Sequence, residues 1–283
     1  MSASLPRIAI LGAGSMGGAI LAGLVESGLA RDGIAATNRT PAKADAVRLP
    51  GVDSAALETH PEANTVAVEG ARIVIVGVKP AMVPALLEQI ADYLEPDAIV
   101  VSVAAGVTTA AMEGLIPNPV ARAMPNTPSL VRRGVTGLVA GSRMTAEQTA
   151  LVRAVFETVG AVVEVAEDRI DALGTISGSG PAYVFFLIEQ LTAAAQRLGF
   201  AEGEARLLVE QTFLGASELL AAGDVPPAEL RRRVTSPNGT TMRAIAVMEE
   251  ADLGSMFDRA TAAALARTRE LAAEIAAGIA AGR

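Results

Sequence analysis

Six residues constrain this chain more than any others: Gly12-Ala13-Gly14-Ser15-Met16-Gly17. Before them runs Ile8-Ala9-Ile10-Leu11, apolar throughout, which reads as a buried strand. After them Gly18 to Val25 reads as a helix, with Met16, Ile20 and Leu24 along one face. Strand, glycine turn and helix open a βαβ unit of the dinucleotide-binding type. Gly12 permits the tight turn, Gly14 lets the backbone approach a pyrophosphate, and Gly17 lets helix and strand pack closely. The helix start offers unpaired N–H groups and a positive dipole end to phosphates.

The following segments repeat the alternation. Gly33 to Thr37 predicts a second strand, Pro41 to Leu49 a short helix, and Arg72 to Val78 a strand of the near-continuous apolar kind. A helix from Val83 to Leu94 and a strand over Ala98 to Val103 come next. Weaker strands follow at Pro117–Met124, Gly137–Ala140 and Ala161–Val165. Between the last two, Thr145 and Gln148 form a capping box for a helix to Val159. Such alternation predicts a parallel sheet with right-handed crossovers. Ligands bind beyond the carboxyl ends of such strands, where Gly12–Gly17, Asn38, Lys79 and Ala104 all fall. No carboxylate closes the second strand; Asn38 and Arg39 do. A guanidinium there favours a 2′-phosphate and so NADP, the alternative being a solvated loop arginine.

From Asp168 onward the apolar period is helical, which places a domain boundary near residue 166. The expectation is an α/β Rossmann-type domain over 1–166 and an all-α domain over 167–283. Asp168 is a candidate cap for a helix carrying Ile170, Leu173 and Ile176, broken or kinked at Ser177-Gly178-Ser179-Gly180-Pro181. Helices are expected over 182–198, 201–222, 226–234, 242–249 and 253–280. The last aligns Phe257, Ala260, Ala264, Thr268, Leu271, Ile275 and Ile279 on one face, a pattern that suits dimerisation. Between two of these helices, Thr235-Ser236-Pro237-Asn238-Gly239-Thr240-Thr241 packs four hydroxyls into a turn. It can grip a carboxylate through hydroxyls and helix-start N–H groups, or Thr240 or Thr241 can simply serve as an N-cap.

Composition removes other classes. A net charge of −8 argues against a basic nucleic-acid surface. The absence of cysteine excludes disulfides, thiol nucleophiles and cysteine–zinc sites, and no metal site is expected. No apolar run reaches the roughly 18 to 20 residues of a membrane span, and no signal-peptide core precedes the first strand. A cytoplasmic protein is the expectation. The only histidine is His60 and the only lysines are Lys43 and Lys79, so chemistry beyond Lys79 must use hydroxyls, carboxylates, Arg, Tyr, amides or backbone. His60 in its polar loop has no assigned role, and Tyr93 and Tyr183 read as packing residues with one polar end.

Together these residues resemble the pyrroline-5-carboxylate reductase family. The glycine turn, Val78-Lys79-Pro80, Ser102–Val107, Met124–Pro128, Ser177–Tyr183 and Ser236–Thr241 carry the resemblance, in order, nearly end to end. It implies a Rossmann domain joined to a helical domain that interlocks in a homodimer, some relatives going on to decamers. It implies that Leu11, Gly12, Ala13, Gly14, Ser15 and Met16 line the pyrophosphate, while Asn38, Arg39 and Asn64 take the adenosine half. Val78, Lys79 and Pro80 would lie along the nicotinamide half, with Ala104 and Ala105 near its ribose or ring. Glu167, Arg233, Gly239, Thr240 and Thr241 would border the substrate, Thr241 hydrogen-bonding near the ring nitrogen as the catalytic residue. Asn238 departs from the family's usual glycine, but asparagine tolerates positive φ best among the other residues. Arg233 is variable among relatives and ends the basic run Arg231-Arg232-Arg233.

The implied reaction reduces the C=N bond of 1-pyrroline-5-carboxylate to L-proline with NADPH, or with NADH. A cyclic iminium already carries its proton, which suits a helical domain without Lys or His; a ketone would need a proton donor. Lys79 can act as a proton donor or as a phosphate-attracting, backbone-shaping element. A β-hydroxyacid dehydrogenase shares the architecture but relies on a helical-domain lysine absent here, and a non-catalytic NADP-binding protein is the other alternative.

Overall fold

A computed structural model describes residues 4–281, with side chains described from residue 4 to residue 274. By contacts the chain forms two compact groups: 1–179 together with 264–283, and 180–263.

The first group is built on a sheet. In chain order come β1 (Ile8–Leu11), α1 (Ser15–Ser27), β2 (Ile34–Asn38), α2 (Pro41–Ala46), β3 (Val52–Ala56), α3 (Ala63–Val68) and β4 (Ile73–Val76). Then follow α4 (Val83–Ile90), β5 (Ile99–Ser102), α5 (Thr109–Glu113), β6 (Val120–Met124), β7 (Gly134–Ala140), α6 (Ala146–Glu157), β8 (Gly160–Glu164) and α7 (Glu167–Leu173). Among the described residues one sheet has the order β3-β2-β1-β4-β5-β6-β7-β8. It is parallel except where β7 runs against β6. The order reverses direction beside β1, which makes the glycine turn a switch-point loop.

The central strands are buried on both faces, and their alternation divides two cores. Ile8, Ile10, Ile73, Ile75, Ile99 and Val101 pack with Ile20, Leu21 and Leu24 of α1 and with Val152, Val155 and Phe156 of α6. Ala9, Leu11, Val74, Val76 and Val100 face Val68 of α3, Val83, Leu86, Leu87 and Ile90 of α4, and Met112 of α5. Each large aliphatic side chain buried this way contributes about 1.5–3 kcal/mol, so these two layers hold the strand ends in place.

Several expected elements differ. β3 and α3 lie in a stretch where the sequence pattern predicts no element. Their residues, Val-Asp-Ser-Ala-Ala and Ala-Asn-Thr-Val-Ala-Val, lack a clear period, and β3 is an edge strand whose Asp53 is exposed. The helix after Val83 ends at Ile90, with a 3₁₀ turn at Ala91–Tyr93. The weak strand around Gly137 starts at Gly134. Asp168 does not cap α7: the N-cap is Ala166 without a side-chain bond, and Asp168 lies in the first turn. The expected break after α7 is a π turn at Gly174–Gly178. Thr145 and Gln148 form the capping box of α6 as anticipated.

The second group holds α8 (Gly180–Arg197), α9 (Glu202–Ala221), α10 (Pro227–Arg233), α11 (Thr240–Glu250) and the first part of α12 (Leu253–Ala281). α8 and α9 pack against each other, and Tyr183 meets Phe257 edge-on at 6.4 Å. On α12 the face from Phe257 to Leu271 is described; the side chains of Ile275 and Ile279 lie outside the described residues. No described helix is long and apolar enough to cross a membrane.

Candidate active site

Strand register builds a candidate nucleotide site at one sheet edge. Leu11 pairs with Thr37 and with Val76, and Val76 pairs with Ser102, so the residues that follow emerge side by side on one sheet edge. Those residues are Gly12, Asn38, Gly77 and Val103. The glycine turn is locked there: Gly12 and Ala13 both donate to the Thr37 carbonyl, at 3.0 and 2.9 Å. Gly77 donates to the Leu11 carbonyl at 2.8 Å. Gly12 has φ +86°, and a Cβ on Gly17 would stand 2.7 Å from the Gly12 oxygen. A Cβ on Gly14, in contrast, would meet no protein atom within 4 Å. Gly14 is the N-cap of α1 and offers no side-chain acceptor, so the first turn is left without a side-chain cap and the space beside Gly14 is open. That geometry fits a pyrophosphate, which needs donors and close backbone approach.

Not every residue expected on this edge presents its side chain outward. Asn38 is buried, and its amide donates to the Lys43 carbonyl at 3.2 Å, fixing the turn into α2. Asn64 is buried in α3; its Oδ1 accepts from the Thr37 hydroxyl at 2.8 Å and its Nδ2 reaches Gln89 at 3.3 Å. Thr37, whose carbonyl holds the glycine turn, is therefore tied to α3 by Asn64. Arg39 is exposed and faces Glu58 at 3.7 Å. Lys79 is exposed with no ion pair among the described residues, directly before the 3₁₀ turn of Pro80–Met82. Ala104 is buried and donates to the Ser102 hydroxyl at 3.2 Å, while Ala105 is exposed.

An ion cluster around a buried arginine fixes the far end of the Ala104–Ala105 loop. Arg122, in the middle of β6 and 2% exposed, bonds Glu167 and Asp171 of α7, each at 2.7 Å. The other Glu167 oxygen accepts the Thr109 N–H at 3.0 Å and the Thr109 hydroxyl at 2.7 Å. Both oxygens of Glu167 are thus engaged within the protein. Burial pushes its carboxyl upward, but the donors on Thr109 and Arg122 outweigh that and hold it below the usual carboxylate range. Nearby, Asn126 donates to the Ser177 carbonyl of the π turn at 2.9 Å and accepts from the Val135 N–H at 2.8 Å.

Another set of expected site residues lies in the helical group. Asn238 has φ +57°, as the left-handed turn requires. A Cβ on Gly239 would stand 2.5 Å from the Ser236 hydroxyl and 3.1 Å from the Ser236 carbonyl oxygen that accepts the Gly239 N–H, so a side chain there would crowd the turn. Gly239 is itself the N-cap of α11, without a side-chain bond. Thr240 and Thr241 therefore do not cap the helix, as one reading of the loop allowed; they occupy its first turn. Thr240 is exposed, Thr241 half-buried, and neither hydroxyl bonds another described residue. Arg231 meets Glu249 across the α10–α11 hairpin at 3.4 Å, and Arg233 is held by Glu229 at 3.0 Å.

Two family models match the chain. The one described as pyrroline-5-carboxylate reductase dimerisation covers residues 167–271, and the one described as NADP oxidoreductase, coenzyme F420-dependent, covers residues 7–106. A pyrroline-5-carboxylate reductase of Pseudomonas aeruginosa is 38% identical over 275 residues, spanning 96% of this chain and 99% of its own length. The chain belongs to the pyrroline-5-carboxylate reductase family. A solved pyrroline-5-carboxylate reductase from Coxiella burnetii superimposes with TM-score 0.87 at 38% identity, over 93% of this chain and 97% of that one. The Plasmodium falciparum enzyme, solved with NADP bound, shares the fold at TM-score 0.78 and 24% identity, over 94% and 98% of the two chains. The family resemblance and the Rossmann-plus-helical fold expected from the sequence are both borne out.

The residues that sequence reasoning missed are Thr37, Glu58, Thr109, Arg122, Asn126 and Asp171. A signal existed for Arg122. An arginine inside the apolar run of β6 demands an acidic partner, and Glu167 with Asp171, four apart on one helix face, supplies two.

Proposed function

We propose that this chain reduces the C=N bond of 1-pyrroline-5-carboxylate to L-proline, the last step of proline biosynthesis, with NADPH as the preferred donor. Full-length similarity to a curated enzyme of that name carries the reading. When bound, the reduced nicotinamide supplies a hydride to the imine carbon. The residues present fit such a cofactor: the open face at Gly14 takes the pyrophosphate, and the exposed Arg39 takes the 2′-phosphate. Lys79 attracts the phosphates, and Leu11 to Met16, Val78, Pro80, Ala104 and Ala105 line the dinucleotide. Asn38 and Asn64 act one step back, holding α2 and Thr37 in place.

On the substrate side, Gly239 and Thr240 offer backbone N–H groups to the carboxylate. The Thr241 hydroxyl orients the ring nitrogen, whose proton is already in place in the iminium. The protein's task is then positioning rather than proton supply. Glu167, with both oxygens engaged, shapes the loop that borders the nicotinamide. Arg233, held by Glu229 one turn back in α10, borders the substrate side. The working division is 1–166 for the cofactor and 167–283 for substrate and dimerisation, the latter boundary agreeing with the dimerisation match that begins at residue 167. We place the enzyme in the cytoplasm as a homodimer. The test is consumption of NADPH, then of NADH, on addition of pyrroline-5-carboxylate. Turnover with proline as product is expected, and its absence at millimolar substrate overturns the reading.

A further inference from the structure

The acid that ordinarily follows the second strand of a NAD-selective fold is missing from this sequence at Asn38-Arg39. The structure brings one there from elsewhere. β2 and β3 are parallel, with Asn38 opposite Ala56. Pairing continues past the strands: Leu57 donates to the Asn38 carbonyl at 2.9 Å, and Glu58 donates to the Arg39 carbonyl at 3.1 Å. The backbone thus fixes Glu58 beside Arg39, and the carboxylate stands 3.7 Å from the guanidinium. Their side chains are 51% and 85% exposed, so a ligand can reach both.

We propose that Glu58 is a specificity-determining residue for the dinucleotide, moderating the preference that Arg39 confers for a 2′-phosphate. The proposal rests on the nucleotide reading of this sheet edge. Its physics is direct. A 2′-phosphate arriving at Arg39 must share the guanidinium with Glu58 and bear the repulsion of a carboxylate a few ångströms away. A cofactor with a free 2′-hydroxyl suffers neither, and can donate a hydrogen bond to the same carboxylate. Glu58 therefore narrows the gap between NADPH and NADH. It gives the chain a working affinity for both.

Dissociation constants of the full chain for NADPH and for NADH, measured without substrate, test this. Glu58→Gln keeps the size of the side chain and removes its charge at an exposed position. It is expected to tighten NADPH and weaken or leave NADH, raising the NADPH-over-NADH ratio by about three- to tenfold, the scale of one or two exposed charge interactions. The change shrinks at high salt. Glu69→Gln removes the same charge from an exposed residue just after α3, beside strand starts on the opposite sheet edge, and is expected to leave the ratio unchanged. An unchanged ratio in Glu58→Gln, with both cofactors bound, overturns the role of Glu58 alone. An equal shift in Glu69→Gln overturns it in favour of a general charge effect. Failure of the unaltered chain to bind either dinucleotide overturns the nucleotide reading as well.

Discussion

At the scale of single residues, two side chains separate chemistry from support. Thr241 carries a hydroxyl at the start of α11 that bonds no other described residue. Thr241→Ala should therefore fold normally, keep its NADPH affinity, and lose turnover by about 10²- to 10³-fold, as expected when an orienting hydrogen bond at the reacting centre is removed. Equal loss of cofactor binding would mark a folding defect instead. Glu167 is the opposite case. It compensates Arg122, which is buried in β6 with its Nε lacking any acceptor among the described residues. Glu167→Gln leaves that guanidinium with Asp171 as its one carboxylate partner and should cost about 2–4 kcal/mol of stability at neutral pH. The pH dependence follows from the lowered Glu167 carboxyl. Its contribution is complete above the ordinary unfolded value near 4.5 and is lost as pH falls through the lower folded one. Denaturant melts from pH 7 down to pH 3 should show a steeper acid loss in the unaltered chain than in Glu167→Gln. Parallel curves would remove Glu167 from the acid transition. The turn before Thr241 was legible because the hydroxyl cluster and Asn238-Gly239 announce it; the engagement of Glu167 was not, because its partners lie 45 and 58 residues away.

At the scale of elements, the glycine turn and α1 show how one short motif divides between folding and binding. A Cβ at Gly17 would press on the Gly12 carbonyl, a backbone atom held by the rest of the turn, whereas a Cβ at Gly14 would project into open space. In Gly17→Ala the gain in helix propensity, up to about 1 kcal/mol, competes with overpacking of typically 1–3 kcal/mol. The clash wins, so the melting temperature should fall and dinucleotide affinity with it. Gly14→Ala should melt no lower than the parent yet bind NADPH at least about tenfold more weakly, because the methyl group occupies the approach to the pyrophosphate. Similar melting shifts in both variants would refute this division of labour. The same elements show what patterning can reach. β1, β4 and β5 were legible because both faces are covered and their apolar runs are unbroken. β3 and α3 were not: their register comes from pairing with β2 and from the Thr37–Asn64 bond, neither of which leaves a period in the sequence. Glu58 was hidden with β3, since no acid stands next to Arg39 along the chain and this one arrives across the sheet.

At the scale of the whole molecule, the two groups differ in how they bury apolar surface. The sheet covers both faces of its strands, but α8 has no buried residue over its eighteen positions. Phe185, Phe186, Leu198 and Leu207 are 66, 59, 80 and 62% exposed. Helices with that much uncovered apolar surface are poorly stable in water alone, and a patch of this kind marks an interface. The match to a dimerisation family model over 167–271 gives the occupant: a second copy of the chain. For the homodimer proposed above, sedimentation should give twice the 28.8 kDa chain mass at micromolar concentration. Phe185→Asp with Phe186→Asp should convert the dimer to a monomer, lower the melting temperature of the helical group first, and abolish turnover. The glycine turn, packed in the sheet's own cores, should still bind NADPH in that monomer. Leu130→Asp serves as the control, because Leu130 is equally exposed, at 61%, but belongs to the sheet group. It should leave both mass and turnover intact. A double aspartate variant that remains dimeric and active would show that α8 is not where two copies meet.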